Sequence, residues 1–242
     1  MRYAILSDIH SNWEALQSVL HALRAESIDQ ILCLGDTVGY GANPNECVEW
    51  VHDHCAAVVL GNHDIASACL LGLEYFNSAA HDAVLWNGQM LTEKHKKFLR
   101  SLPLTHEESD FVLVHASLHE PAKWHYVIDL ESARQSLSQL KKPLCFHGHS
   151  HKPAVFVQQK NGDVRSYHKP VVIVEPSQQY LINVGSVGQP RDGSPTASFA
   201  IYDTEAKTVE IQRVRYDIAI AQSKILQAGL PPFLAQRLAY GK

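Results

Sequence analysis

The chain has 242 residues, of which 45% are hydrophobic and 19% charged, and its formal net charge is -4. The length fits one large α/β domain spanning residues 1–242, and the composition is ordinary for a protein with a sizeable core. The acidic balance argues against a general nucleic-acid-binding surface, which is normally basic. Five cysteines without a CxxC pair indicate reduced, mostly buried thiols. Because the sequence shows neither a secretory leader nor a run of about 18 apolar residues, we expect a cytoplasmic protein that does not contact membranes.

The N-terminal quarter alternates between strand and helix patterns. Short apolar runs predict strands at 2–7, 31–34 and 56–60. Residues 11–25 carry apolar side chains at helical spacing, with Trp13 and Leu16 on the core side. A second helix begins at Asn43-Pro44 and runs to about residue 52. This order predicts parallel strands joined by right-handed crossovers.

The rest of the chain divides into a helical stretch and a strand-rich half. Helices are predicted at 65–71, 76–88, 92–101 and 130–140, and strands at 104–108, 111–115 and 143–147. From residue 153 the apolar period becomes two, which predicts strands at 154–159, 163–167, 171–174, 180–184, 198–203 and 207–215. We expect this half to be antiparallel and to lie against the first sheet. Two helices, at 217–227 and 231–239, are predicted to end the chain.

Metal-binding side chains follow five of the predicted strands. The residues are Asp8 and His10, then Asp36, then Asn62 and His63, then His115, and finally His149 and His151. Carboxylate, carboxamide and imidazole groups without thiolate suit Mn²⁺, Fe, Ni²⁺ or Zn²⁺ rather than a structural zinc site. A carboxylate such as Asp36 can offer each oxygen to a different cation. A binuclear metal centre is the simplest explanation of the pattern.

Other positions have both a functional and a structural interpretation. Asn12, with the backbone N–H groups at the start of the first helix, is a candidate phosphate donor. Arg191, in the glycine-rich stretch NVGSVGQPRDG, is a second candidate, although it could instead belong to a tight structural turn and pair with Asp192 or contact solvent. The aromatic rings of residues 119–126 suit either stacking on a base or packing. Asp64 suits a helix cap better than catalysis. We expect seven further histidines to be structural or solvent-exposed: His21, His52, His54, His81, His95, His106 and His168.

Five blocks, DIH, GDTVGYG, GNHD, VHAS and GHSH, follow one another along the chain. In them the chain resembles the calcineurin-like metallophosphoesterase superfamily over roughly residues 1–190. The resemblance implies a four-layer αββα sandwich of two mixed β-sheets flanked by helices, with two metal ions at the strand ends. It also implies that a hydroxide bridging the metals attacks phosphorus. The segment GYGANPNE is similar to a compact prokaryotic branch that acts on small phosphodiesters and dinucleoside polyphosphates.

The resemblance also assigns roles to individual residues. It implies a first metal held by Asp8, His10, Asp36 and His151. It implies a second metal held by Asp36, Asn62, His115 and His149, with Asp36 bridging the two. His63 would then lie outside both ligand sets and donate a proton to the leaving group.

The differences from relatives narrow the expected function. Protein Ser/Thr phosphatases carry Asp-Arg within the second block and Glu after Asn-His, where this chain has Gly39-Tyr40 and Asp64. We therefore expect hydrolysis of small phosphate mono- or diesters, including nucleotides such as diadenosine tetraphosphate, rather than of phosphoproteins. A nuclease is the first alternative, disfavoured by the acidic charge. The second is an interaction scaffold like the retromer subunit with this fold, disfavoured because every ligand is retained.

Overall fold

The computed structural model describes residues 1–70, 72–167 and 169–242, and its strands form two six-stranded sheets. The first sheet contains, in spatial order, β3 (Cys55–Val58), β2 (Gln30–Cys33), β1 (Arg2–Leu6), β11 (Ala197–Asp203), β12 (Thr208–Val214) and β9 (Val171–Ile173). The second contains β4 (Thr105–Glu107), β5 (Phe111–Val114), β6 (Leu144–His147), β10 (Gln179–Asn183), β7 (Ala154–Gln158) and β8 (Val164–Tyr167).

Helices flank both sheets. They are α1 (Trp13–Leu23), α2 (Pro44–His54), α3 (Asn62–Cys69), α4 (Ser78–Met90), α5 (Glu93–Arg100), α6 (Leu130–Leu137), α7 (Ile218–Gln227) and α8 (Pro232–Gln236). Short 3-10 turns lie at Leu73–Tyr75, Pro121–Lys123 and Arg237–Tyr240. None of the helices in the described ranges is long and apolar enough to cross a bilayer.

The central strands are apolar on both faces because each face meets a different layer. Ala4 and Leu6 of β1 pack with residues of α1 and α7, whereas Tyr3 and Ile5 face the second sheet. There the Tyr3 ring meets Phe111 edge to face, with centroids 5.1 Å apart. A large apolar side chain buried in this way contributes about 1.5–3 kcal/mol.

The second sheet repeats this division. Phe111 and Leu113 of β5 face the first sheet, while Val112 and Val114 pack with Ala133 and other residues of α6. Helices, sheet, sheet and helix therefore follow one another, and the predicted four-layer αββα sandwich is confirmed.

Strand pairing agrees with the prediction at the N-terminus and differs from it in the C-terminal half. β1, β2 and β3 are parallel, as expected. The strands after residue 153, however, do not form one antiparallel unit. β9, β11 and β12 extend the first sheet, while β7, β8 and β10 join the second, where β10 is parallel to β6. A period of two predicts a strand but carries no information about which free edge it joins.

Helix capping explains where two helices begin. α1 begins at Trp13 rather than at residue 11 because the Asn12 side chain accepts a hydrogen bond from the Ala15 N–H. α3 begins at Asn62 rather than at residue 65, because Asp64, at the third helical position, accepts a hydrogen bond from the N–H of Gly61 just before the helix. Position 71, the end of one predicted helix, and His168 lie outside the described residues.

Candidate metal centre

Loops after strands of both sheets converge at one edge of the sandwich. The loops after β1 and β2 are joined where the Asp8 N–H donates to the Gly35 carbonyl at 3.0 Å. Those after β5 and β6 are joined where the Gly148 N–H donates to the His115 carbonyl at 2.9 Å. This edge holds all the residues that the sequence predicts as metal ligands: Asp8, His10, Asp36, Asn62, His115, His149 and His151. Their roles as ligands remain predictions.

The carboxylate of Asp36 lies between two groups of imidazoles. Its Oδ1 accepts a hydrogen bond from the His63 N–H at 2.8 Å. Its Oδ2 lies 3.7 Å from Nε2 of His10 on one side and 3.3 Å from Nε2 of His115 on the other. One oxygen of Asp36 therefore faces both groups, which is one of the ways in which a carboxylate can bridge two cations.

The first group consists of Asp8, His10 and His151, whose ligand atoms lie within 4.8 Å of one another. Oδ1 of Asp8 is 3.3 Å from Nε2 of His151 and 3.7 Å from Nε2 of His10. The two Nε2 atoms are 3.0 Å apart. The second group consists of Asp36, His115 and His149, in which Nε2 of His115 lies 3.2 Å from Nδ1 of His149. Asn62 lines the same cavity as Asp36 and His149.

Backbone carbonyls fix the orientation of three imidazoles. Nδ1 of His10 lies 2.9 Å from the Val38 carbonyl, Nδ1 of His151 lies 2.6 Å from that of Gln189, and Nδ1 of His115 lies 2.8 Å from that of Leu34. A carbonyl only accepts hydrogen bonds, so each Nδ1 is the donor. In the neutral ring, Nε2 then carries a lone pair that faces the site.

These contacts show that the residues present fit a bound cation. Nε2 lone pairs of His10 and His151 facing each other at 3.0 Å repel unless a positive charge lies between them. Buried polar atoms without a hydrogen-bond partner in the described chain also gather here. They include Oδ1 of Asp8 and Oδ1 of Asn62. Buried polar atoms normally have a partner, and a bound metal ion would supply one here.

Five residues at the site adopt left-handed backbone conformations, which are uncommon in residues other than glycine. Left-handed φ angles occur at Asp8 (53°), His10 (50°), Asp36 (50°), His149 (65°) and His151 (58°). Such conformations cost of order 1–3 kcal/mol each in residues other than glycine. Gly61 meets a different constraint, because an added Cβ would lie only 2.1 Å from Oδ1 of Asp36.

Charge interactions shift the pKa values of the buried groups. Burial alone would raise the pKa of Asp8, but His151, His115 and the Ser7 hydroxyl lower it to about 2. Burial would likewise lower the pKa of His115, but the carboxylate of Asp36 raises it to about 9. Both shifts show that positive charge is stabilised beside these carboxylates.

His63 lies beside the first group, with its ring centroid 4.8 Å from that of His10, and it lines the cavity. Burial lowers its pKa to about 4, although Asp36 opposes this shift. Asp64 does not contact the cavity: its carboxylate accepts hydrogen bonds from the N–H groups of Val38 and Gly61. It therefore caps α3 from the third helical position rather than serving His63.

A cavity of 630 Å³ opens over the predicted ligands. Two segments distant in sequence form its walls. One includes Tyr75 and Phe76, and the other includes Trp124 and Tyr126. The sequence predicted aromatic rings near the site only in the second segment, at residues 119–126. The first segment lies in a stretch that matches no motif.

Arg191 also lines the cavity, with its guanidinium 5.4 Å from the centre of the Tyr40 ring. The Gln189 side chain holds it in place, since Oε1 accepts hydrogen bonds from Nη2 at 2.9 Å and from Nε at 3.3 Å. Asp192 is instead paired with Arg213. The alternative in which Arg191 pairs with Asp192 is therefore wrong.

Asn12 has a different environment from the one expected. Besides capping α1, its Nδ2 donates to the Gly188 carbonyl at 2.8 Å. The backbone N–H groups of Ser11 and Asn12 donate to the carbonyls of Thr37 and Ile9. These two N–H groups therefore do not face a phosphate, and Asn12 is absent from the described residues that line the cavity. Its role as a substrate donor is still untested, and the contacts favour a structural one.

Comparison with known proteins agrees with this geometry. Residues 1–207 match the model of the calcineurin-like phosphoesterase superfamily domain. The chain belongs to this superfamily. As a member it is a metal-dependent phosphoesterase, and hence a hydrolase.

Similar proteins differ in how much of the chain they cover. A metallophosphoesterase from Sphaerobacter thermophilus, of solved structure, is 40% identical with a TM-score of 0.87, covering 100% of this chain and 99% of its own. An uncharacterized protein of Methanocaldococcus jannaschii is 42% identical over 99% of this chain and 98% of its own. A symmetrical bis(5'-nucleosyl)-tetraphosphatase of Methylobacillus flagellatus is 30% identical over 48% of this chain and 43% of its own.

Ser7 provides a test of how the first group is oriented. Its hydroxyl donates to Oδ2 of Asp8 at 2.6 Å, which leaves Oδ1 free for a cation. We expect Ser7→Ala to weaken metal binding by about 10–100-fold, the usual effect of losing a group that orients a ligand. Competition with a metal-sensitive chelator measures this affinity.

The matched control is Ser18→Ala, which removes a hydroxyl that bonds only to the Glu14 carbonyl within α1. It should leave metal affinity unchanged. Equal affinities in the Ser7 variant and the wild-type protein would show that Ser7 does not orient Asp8.

Proposed function

We propose that this protein is a binuclear metallophosphoesterase that hydrolyses small phosphate mono- or diesters, nucleotides among them. The observation that carries the proposal is the position of Asp36, whose Oδ2 lies 3.7 Å and 3.3 Å from imidazoles of two separate groups. A single ion would leave one of these groups without a partner.

Asp8, His10, Asp36 and His151 would hold one metal, and Asp36, Asn62, His115 and His149 the other. When bound, two such ions lower the pKa of a water molecule and neutralise the oxygens of the phosphoryl group. The oxygen and nitrogen donors suit Mn²⁺, Fe, Ni²⁺ or Zn²⁺, and metal availability decides among these.

His63 is the proposed proton donor to the leaving group. Its ring lies beside the first group, contacts Phe76 edge to face at 4.8 Å, and reaches the cavity. Burial and the nearby Arg191 keep its pKa low in the free protein. A bound phosphate adds negative charge and so favours the protonated ring.

Arg191 is the proposed anchor for a phosphate other than the one being cleaved. The metals neutralise only the reacting phosphoryl group, so a polyphosphate needs a further cationic donor. A guanidinium binds phosphate oxygens bidentately, and Gln189 already holds this one at the cavity wall. The partial similarity to a bis(5'-nucleosyl)-tetraphosphatase supports this substrate class.

Neither alternative gains support from the site. A scaffold has no need of a complete ligand set, and this chain keeps all of its predicted ligands at one buried edge. A nuclease normally carries a basic surface, whereas this chain has a net charge of -4.

The first prediction concerns metal content. We expect two ions per chain after reconstitution of the metal-stripped protein. Asp36→Asn should lose both because the bridging oxygen is altered, while His149→Ala should lose mainly one. Elemental analysis measures the stoichiometry, and a panel of phosphate esters assayed with Mn²⁺, Ni²⁺, Fe²⁺ or Zn²⁺ tests the activity. One ion per wild-type chain, at full occupancy, would contradict the binuclear proposal.

The second prediction concerns His63. His63→Ala should lose about 10²–10⁴-fold in kcat on an alkyl or nucleoside ester, whose leaving group needs a proton. On a p-nitrophenyl ester the loss should be smaller, because that leaving group departs without one. Steady-state kinetics on both esters measure the difference, and metal content serves as the control. An equal loss on both esters with metal content intact would exclude this role.

The third prediction concerns Arg191. Arg191→Ala should raise KM for a dinucleoside polyphosphate by about tenfold or more, which corresponds to at least ~1.4 kcal/mol. KM for a simple aryl phosphodiester should change little, because that ester has no second phosphate. The matched control is Arg213→Ala, which removes an arginine paired with Asp192 outside the cavity. If neither substrate responds to Arg191→Ala, the residue has only a structural role.

A further inference from the structure

The two aromatic walls of the cavity are not equivalent. On one wall, Tyr126 stacks on His149 with ring centroids 4.1 Å apart, and Trp124 contacts His115 edge to face at 5.8 Å. These rings cover predicted ligands of the second group. On the other wall, Phe76 contacts His63, the proposed proton donor.

Tyr75 is the most exposed of these four aromatic rings. Tyr75 is the last residue of the short 3-10 turn Leu73–Tyr75. It is 86% exposed, although it lines the cavity. By comparison, Tyr126 is 50% exposed because its ring packs on His149. A large ring left in water at the edge of a binding cavity is available to a ligand, and burying it there would be favourable.

The charges around Tyr75 indicate what kind of ligand this is. Among the described residues that line the cavity, Arg191 and Lys123 are cationic and Asp36 is the one carboxylate. Asp36 is directed at the predicted metals. The space between the metals and Tyr75 therefore suits a ligand that joins an anionic phosphate to a flat, apolar ring.

The position of Tyr75 relative to His63 indicates which part of the substrate would contact the Tyr75 ring. Tyr75 is next in sequence to Phe76, and Phe76 contacts His63. Because His63, Phe76 and Tyr75 line the same cavity, the group that His63 would protonate would depart toward this wall. We infer that the leaving group of the substrate carries a nucleoside whose base stacks on Tyr75. This inference rests on the proposed function and deepens it.

The test compares two ligands that differ only in the base. Adenosine 5′-monophosphate and ribose 5-phosphate are titrated by calorimetry into metal-loaded protein, in the His63→Ala background to suppress turnover. We expect the nucleotide to bind at least about tenfold more tightly, and Tyr75→Ala to remove most of that difference, because stacking of one base on one aromatic ring has about this effect. Tyr75→Phe should keep the difference.

The controls separate the possible failures. Tyr240→Ala removes a tyrosine that is 64% exposed outside the cavity and should change neither affinity. If Tyr75→Ala weakens both ligands equally, or if only Tyr126→Ala removes the preference for the nucleotide, the inference is overturned. Since calorimetry measures binding alone, a Tyr75-dependent preference in a protein that hydrolyses no ester would refute the proposed function and leave the base site standing.

Discussion

The structure of the site depends on one buried carboxylate, that of Asp36. Its Oδ1 is held by the His63 N–H, and its Oδ2 lies between imidazoles that come from different sheets. The loop after β3 passes so close to it that only glycine fits at position 61. Asp36 therefore determines the path of its neighbouring loop as well as the spacing of the two ligand groups.

The site holds its buried side chains and backbone in arrangements that are unfavourable without a metal. The imidazole nitrogens of His10 and His151 face each other at 3.0 Å, and five site residues hold left-handed backbone angles. Both features cost free energy in the metal-free protein. The two sheets offset this cost with apolar side chains packed between and around them. The fold thus stabilises a set of donors that would separate if they lay on mobile loops.

Local sequence patterns predicted most of the elements, since strands buried on both faces read as apolar runs and helices as periodic ones. The ligands were predictable because each follows a strand in a short motif. Long-range features were not: nothing in residues 197–203 indicates pairing with β1, and nothing near Tyr75 indicates that it shares a cavity with Tyr126. For Asn12 the sequence left two roles open, because its place before the first helix fits a phosphate donor and a cap equally well, and a cap is what its contacts show.

The pairing of β1 with β11 limits how early the first sheet can fold during synthesis of the chain. β1 leads into Asp8 and His10, yet its second neighbour in the sheet is residues 197–203, which are synthesised after every predicted ligand. Until they emerge, a nascent chain exposes an apolar strand edge that can pair with other chains. Truncation after β10 would therefore remove support from the site without deleting any predicted ligand.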